Sequence, residues 1–406
     1  MVSDPRDRRG VRHRLGALLV MAAAAVAAGS QSLLAIWEWV ADLPQWALAA
    51  LGARLDPRTG PRHVAPGEAT LRRALAMIDG DELDAAVSAW IVDHTEPHDL
   101  EQLGWVPVAV DGKTLRGTVG RTGGAGVHLL SALTHQRPVV VGQRLVPIGC
   151  SEISEFAPLL ERISQAGIDL STVVVTADAL HTTHAHATYL RQRDAHYVFV
   201  VKKNQRRLYH QLAALPWPHA IHHTSTGIGH GRLEQRTLEV LPAPTNLGFP
   251  GAGFPGVAQV CQITRYRTNR TTGIRQTHTS FALTSLTPDH TTPAHLTRLL
   301  RGHWSIENQL HWIRDTTYRE DHSQVRTHTT PRAMATLRNL TLSALRLTHH
   351  NTSIATALRT MTRNITNPLT LLGIPTPTNN QPTLTTPCRD GWGAVFARAR
   401  RAPVRS

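Results

Sequence analysis

Three stretches hold residue types that could do chemistry. In "GHWSIENQLHWIRD", Gly302 to Asp315, His303, Glu307 and His311 stand four apart, so on a helix they climb one face together. Two imidazoles and a carboxylate on one stripe could bind zinc, as in a zinc hydrolase. Alternatively only Glu307 meets a metal, with its other ligands supplied elsewhere. Asp111 ends the apolar run "WVPVAVDG", and Asp178 ends "STVVVTAD". A carboxylate at the end of a buried strand is costly unless a partner or a metal compensates it. If the two strands are neighbours, the aspartates lie side by side, and their repulsion calls for a cation between them. Oxygen-only ligands suit Mg²⁺ or Mn²⁺ rather than Zn²⁺. Each aspartate taken singly could also cap a turn, since "DG" and "DAL" both read as breaks.

The zinc reading has two weaknesses. Helical zinc motifs set two histidines three or four apart and often use the glutamate as a base, not a ligand. Histidine is also abundant, with 24 residues, so chance pairs at helical spacing are expected.

These residues need elements to position them. Residues 1 to about 100 read as helical. An alanine-rich run from Leu15 to Ala28 follows a basic start, which gives it the look of a signal peptide. It is short for a membrane span, and as a buried helix it continues into "QSLLAIWEWVADLPQWAL". The texture changes at Trp105. A buried strand, two hairpin strands ("VHLLSALTH" and "RPVVVGQRLVP"), a helix, a strand, a helix and a strand follow in order. This pattern predicts an α/β fold with helices packed on a mixed sheet. Short alternating segments between about 205 and 286 read as a β-rich insertion. Helices resume before Glu307, with Trp304 and Trp312 expected as core anchors. Beyond about 351 the chain is rich in Thr, Pro and Asn, ends in basic residues, and reads as a loosely structured tail.

The 406 residues carry 43 Lys and Arg against 29 Asp and Glu, a net charge of +14 that favours a polyanionic partner such as nucleic acid. Cys150, Cys261 and Cys388 are widely separated and form no Cys-x-x-Cys pair. They argue against a disulfide framework or structural zinc and point to a reducing compartment.

The blocks "VAVDGKTLRGT", "TADALHT", "YVFVVKKNQ" and "RGHWSIENQLHWIRDTTYREDHSQVR" resemble those of insertion-sequence DDE transposases, in the group that includes the H-repeat-associated proteins. The resemblance runs over roughly residues 4 to 350, with the blocks in the family's order. It implies a helical, DNA-binding N-terminal domain over 1–100, an RNase H-like catalytic domain over 101–350 with its β-rich insertion, and a tail over 351–406. It implies metal-dependent cleavage of DNA at the element's ends and transfer of the freed strand. Asp111, Asp178 and Glu307 would be the catalytic carboxylates, holding two Mg²⁺ or Mn²⁺ ions. One ion would activate the attacking water or 3′-hydroxyl and the other would stabilise the leaving oxygen. Where related transposases carry a tyrosine, an arginine and a lysine around the glutamate, this chain has Leu300, His303 and Arg314. Lys113, Arg116, Lys202, Asn204, Gln205, His303 and Arg314 are the expected DNA contacts. Asp315, Glu320 and Asp321 are expected in salt bridges, and His311 in packing or hydrogen bonding. The implied partners are the transposon ends and target DNA, with a homodimer pairing two ends, in the cytoplasm and off the membrane. A DNA-binding remnant without activity is the alternative within the same family.

Overall fold

The computed structural model describes residues 2–377, apart from 57, 59, 121–124, 230, 231, 249–252 and 351. The alanine-rich run forms α1 (Leu15–Ala27), and every residue of it except Ala17 is buried. Side chains this small let neighbouring helices approach closely, and α1 lies against the long helix α12 introduced below. Next come α2 (Leu33–Ala41), capped by the Ser32 hydroxyl, and α3 (Gln45–Ala50). The region is not all helical: Arg54–Asp56 (β1) and Arg62–Val64 (β2) pair as a small antiparallel ribbon. Its remaining helices are α4 (Glu68–Met77), α5 (Gly80–Asp93, capped by Asp79) and α6 (Pro97–Leu100).

A nine-stranded sheet follows. Its first strands are β3 (Val106–Thr114), β4 (His128–Thr134) and β5 (Val140–Val146). After α7 (Glu152–Gln165) come β6 (Val173–Ala177), α8 (His184–Arg191) and β7 (His196–Val201). The strand order across these five is β5-β4-β3-β6-β7. The first three pair antiparallel, as the hairpin reading predicts, while β3–β6 and β6–β7 are parallel. Both faces of β3 and β6 are covered, which explains their unbroken apolar composition.

The β-rich segment contains α9 (Arg206–Ala213) and four strands: β8 (Ile221–Gly229), β9 (Arg232–Pro242), β10 (Gln259–Asn269) and β11 (Arg275–Thr284). It extends the same sheet, because β11 pairs with β7 from Phe281↔Val201 to Thr284↔Val198. Then come α10 (Pro293–His303), a π-helical segment Ile306–His311, and α11 (Trp312–Thr316). The buried α12 (Thr330–Thr348) precedes α13 (Ile354–Met361) and α14 (Thr366–Leu371). The last two are a correction to the loosely structured tail: Ile354, Ala357, Leu358, Met361, Leu369 and Leu371 are buried in the main core, because each short helix has an apolar side. The rest of the expected tail, from 378 on, lies outside the described residues. Among the described residues no helix is long and apolar enough to cross a membrane.

Two buried ionic groups tie α12 to the rest. Arg332 on α12 donates from Nε to Asp84 of α5 at 2.8 Å and from Nη2 to Asp81 at 2.8 Å, while Gln143 of β5 donates to Asp84 at 3.0 Å. Further along α12, Arg338 Nη1 meets Glu320 Oε1 at 2.8 Å, and Arg314 Nη2 meets Glu320 Oε2 at 2.7 Å. Glu320 therefore neutralises part of the charge of two buried guanidinium groups. Removing that carboxylate leaves both cations unpaired, a loss of roughly 3–5 kcal/mol. Glu320→Ala is therefore expected to lower unfolding free energy by about that amount in urea titrations. A change below about 1 kcal/mol would show that water or other groups compensate the two arginines.

Candidate active site

The site begins with strand register. β3 and β6 run parallel with Val110 opposite Ala177, so the next residues, Asp111 within β3 and Asp178 just past the end of β6, emerge side by side. Their side chains are 25% and 37% exposed, enough to be reached from solvent. Asp111 is no turn residue: β3 continues to Thr114, with Asp111 opposite Ser131 and Gly112 opposite Leu130.

Histidines back the carboxylates. His303, at the end of α10, is buried, and burial pushes its imidazole below its ordinary pKa while the Asp111 and Asp178 charges pull it back up. Behind it lies His135, whose Nε2 is 3.0 Å from Thr176 Oγ1. Burial, and then the nearness of His303, push His135 down to about 3. Gly302 makes room for this pair, since a Cβ there would strike the His135 ring. His311 Nε2 lies 3.3 Å from Asp111 Oδ2, an ion-pair distance without hydrogen-bond geometry.

Glu307 sits in the π-helical turn between those histidines and is exposed. The core-facing side of this helix carries His303, Ile306, Leu310 and Ile313. His303, Glu307 and His311 therefore do not form a common ligand face. Among the described residues no group of three or more His, Cys, Asp or Glu side chains is arranged to hold a metal, which counts against the zinc stripe and also leaves Glu307 apart from Asp111 and Asp178 in this structure. The adjacent aspartates do offer an all-oxygen donor pair open to solvent, which suits a hard divalent cation, and Glu307 is an unengaged carboxylate on the neighbouring helix.

A second carboxylate reinforces the aspartates from behind. Glu152, the first residue of α7, accepts from His128 Nε2 at 2.8 Å and from His181 Nε2 at 3.2 Å. It also fills the space above Gly112, where any Cβ would strike its carboxyl group. Burial raises the Glu152 pKa, but the bonds and charges of His128 and His181 outweigh that and bring it to about 2. Glu152 thus braces both the strand of Asp111 and the loop after Asp178. Sequence reading missed it, because nothing local marks a helix-starting glutamate 41 positions from Asp111 as its neighbour.

The expected DNA contacts divide. Lys202 is 52% exposed and 3.7 Å from Asp178 Oδ2, at the rim of the site, while Arg116 is 81% exposed and lies 3.7 Å from Asp321 Oδ2. The other assignments need correction. Arg314 is fully buried on Glu320 and cannot face a phosphate. Lys113 is 10% exposed and holds Asp315 at 2.7 Å. Asn204 Nδ2 donates to Ala179 O at 3.3 Å, and Gln205 Nε2 donates to Thr182 O, so both amides fasten the Asp178 loop. His303 faces the carboxylates from inside the core. Asp315, Glu320 and Asp321 all pair with Lys or Arg, as expected. Trp304 and Trp312 are not core anchors: they are 49% and 61% exposed, because the core stripe of their helix runs through Ile306, Leu310 and Ile313 instead.

Comparison with known proteins identifies the family. A family model described as "DDE_Tnp_1-associated" matches residues 1–91, and one described as "Transposase DDE domain" matches residues 106–344. "Putative transposase YncI" of Escherichia coli O157:H7 is 26% identical over 359 residues, 85% of each chain. "H repeat-associated putative transposase YhhI" of Escherichia coli K12 is 24% identical over 352 residues, 85% of this chain and 88% of that one. Among solved structures, a piggyBac transposase synaptic complex with hairpin DNA aligns over 96% of this chain and 76% of that one. It does so at 12% identity and a TM-score of 0.36, too slight a likeness to bear on fold or function.

The buried histidines give this region an acid signature. His135 is held to about 3, and His186 and His196 to about 4, in each case chiefly by burial. The unfolded chain takes up their protons near pH 6.5, while the folded chain does so only at those lower values. Stability should therefore fall as pH drops from about 6.5 toward 4, with His135 alone contributing a slope of up to about 1.4 kcal/mol per pH unit. Urea midpoints of the wild type and His135→Gln, compared between pH 7 and 5, would check this. The variant should show the shallower slope.

Proposed function

The chain belongs to the DDE transposase family, and from that premise we propose that Asp111, Asp178 and Glu307 are its three catalytic carboxylates. The observation that carries the reading is the parallel β3–β6 register, which sets Asp111 beside Asp178. The strand order β5-β4-β3-β6-β7, three antiparallel strands followed by two parallel ones, supports an RNase H-like core. Asp111 and Asp178 would hold divalent metal, two Mg²⁺ or Mn²⁺ ions, with Glu307 completing the oxygen set from the π-helical turn. When bound, such ions polarise the scissile phosphate and lower the pKa of the attacking oxygen.

The chain's own residues prepare that centre. Lys202 at the rim and the exposed Arg116 offer positive charge to the DNA backbone. Asn204, Gln205 and Glu152 keep the Asp178 loop in place, so the two aspartates meet the substrate in fixed geometry. The strand is cut at the element's end, and the freed 3′-hydroxyl is joined to target DNA. The helices within residues 1–100 would serve the DNA end, and a homodimer would pair two ends. With DNA as the substrate, the working compartment would be the cytoplasm.

Asp111→Asn, Asp178→Asn and Glu307→Gln should each lower cleavage of duplexes carrying the element's ends by about a hundredfold or more, with circular dichroism unchanged. Chelation of divalent cations should abolish wild-type cleavage and strand transfer. Persistent nicking by all three folded variants would sink the assignment.

A further inference from the structure

The β-rich segment carries an arginine cluster away from the carboxylates. Alternation along β9 puts Arg232, Glu234 and Arg236 on one face, and along β10 it puts Arg265 and Arg267 there too. The register sets Arg236 directly opposite Arg265 and Glu234 opposite Arg267. Arg301 of α10 lines the same cavity, of about 250 Å³, with Arg232, Glu234, Arg265 and Arg267. Glu234 is the sole acid: it accepts from Arg236 at 3.0 Å and from Arg267 at 3.3 Å, and it also bonds Arg265. Glu239, the other acid on these strands, is on the opposite face and bonded to Gln262. Four arginines and one glutamate line the hollow, a surplus of three positive charges, and Arg236 adds a further guanidinium on Glu234.

Like charges directly opposite on adjacent strands are destabilising, and here they are also partly desolvated. Burial, then the charges of Arg301 and Arg267, hold the Arg236 guanidinium below its ordinary pKa, and burial and Arg267 do the same to Arg265. The mouth of the hollow is open, since Gly227, opposite Glu234 on the edge strand β8, would meet nothing even with a Cβ added. A concave, cation-lined cavity with a single counter-charge attracts anions. Guanidinium groups fit phosphate oxygens in paired hydrogen bonds. Arg301 also lies on the helix that leads, through His303, into the turn of Glu307.

We propose that this arginine-lined face of the β-rich segment is a second DNA contact, gripping the phosphodiester backbone of a strand whose neighbouring part lies at Asp111 and Asp178. The inference rests on the transposase reading but concerns binding, so the two fail separately. The test uses the full chain, a mixed-sequence duplex of about three helical turns, and chelator to prevent cutting. Arg232→Gln/Arg267→Gln should weaken binding about tenfold near physiological salt and reduce the slope of log affinity against log salt by about 1 to 2. Arg232→Lys/Arg267→Lys should keep most of both. Thermal melting controls for folding, and Arg232→Gln alone, at an exposed position, serves if the double variant is unstable. An unchanged affinity and salt slope in the folded glutamine variants would overturn the proposal. So would a melting temperature raised by inorganic phosphate only in the wild type with DNA binding unaltered, which would mark a small-anion site. If the wild type binds with the expected slope but, in a separate assay with Mg²⁺ and duplexes carrying the element's ends, does not cleave, the catalytic reading fails and this one stands.

Discussion

The structure depends on a repulsion it cannot avoid. Parallel pairing of β3 with β6 buries two apolar strands in the middle of the sheet, and the same register forces Asp111 against Asp178. Two carboxylates at adjacent positions are unfavourable without positive charge nearby. The chain supplies that charge only weakly: His311 at 3.3 Å from Asp111, Lys202 at 3.7 Å from Asp178, and His303 behind both. Neither His311 nor Lys202 makes a hydrogen bond to its aspartate, and two of the three groups are imidazoles, charged only when protonated. A site compensated so loosely has room for a cation, whereas one closed by a bidentate arginine would not.

Contrast the rest of the interior, where charge is paired tightly. Arg314 and Arg338 close on Glu320, and Arg332 closes on Asp84 and Asp81, all at 2.7–2.8 Å. These pairs are expensive to desolvate, but breaking one is more expensive still, so they fix how α12 sits against α5 and the helical turn after α11. This explains why Arg314, though only seven residues beyond Glu307, is buried and not displayed at the surface. Its guanidinium is committed to framing the helix that carries the glutamate. Rigid pairs around a loosely paired centre are what a preorganised site requires.

Much of this was readable from the chain alone, and the failures have physical causes. β3, β6 and β7 are legible because burial on both faces leaves an unbroken apolar run, and β4 with β5 because a short polar turn joins two such runs. Asp111 and Asp178 follow directly, as acids ending those runs. The exposure of Trp304 and Trp312 is legible in the spacing, since Ile306, Leu310 and Ile313 already define a complete core stripe. The fates of Arg314, Lys113, Asn204 and Gln205 were not readable. Their partners are set by tertiary packing, and Lys113 meets Asp315 from 202 positions away. No local pattern separates a lysine that meets phosphate from one that meets such an aspartate. Glu152 is the converse case, an ordinary helix-first glutamate made important only because Gly112 leaves space for it.

The sheet also determines how far DNA can be engaged from one centre. Since β11 pairs with β7, the four outer strands are a rigid continuation of the catalytic sheet and not a tethered appendage. Charge displayed on β9 and β10 is therefore held at a fixed offset from Asp111 and Asp178, and α10 spans the interval, with Arg301 facing the outer strands and His303 the inner carboxylates. A flexible insertion could add affinity but could not set register. A continuous sheet does both, because a phosphate held on the outer strands limits which phosphodiester can reach the carboxylates.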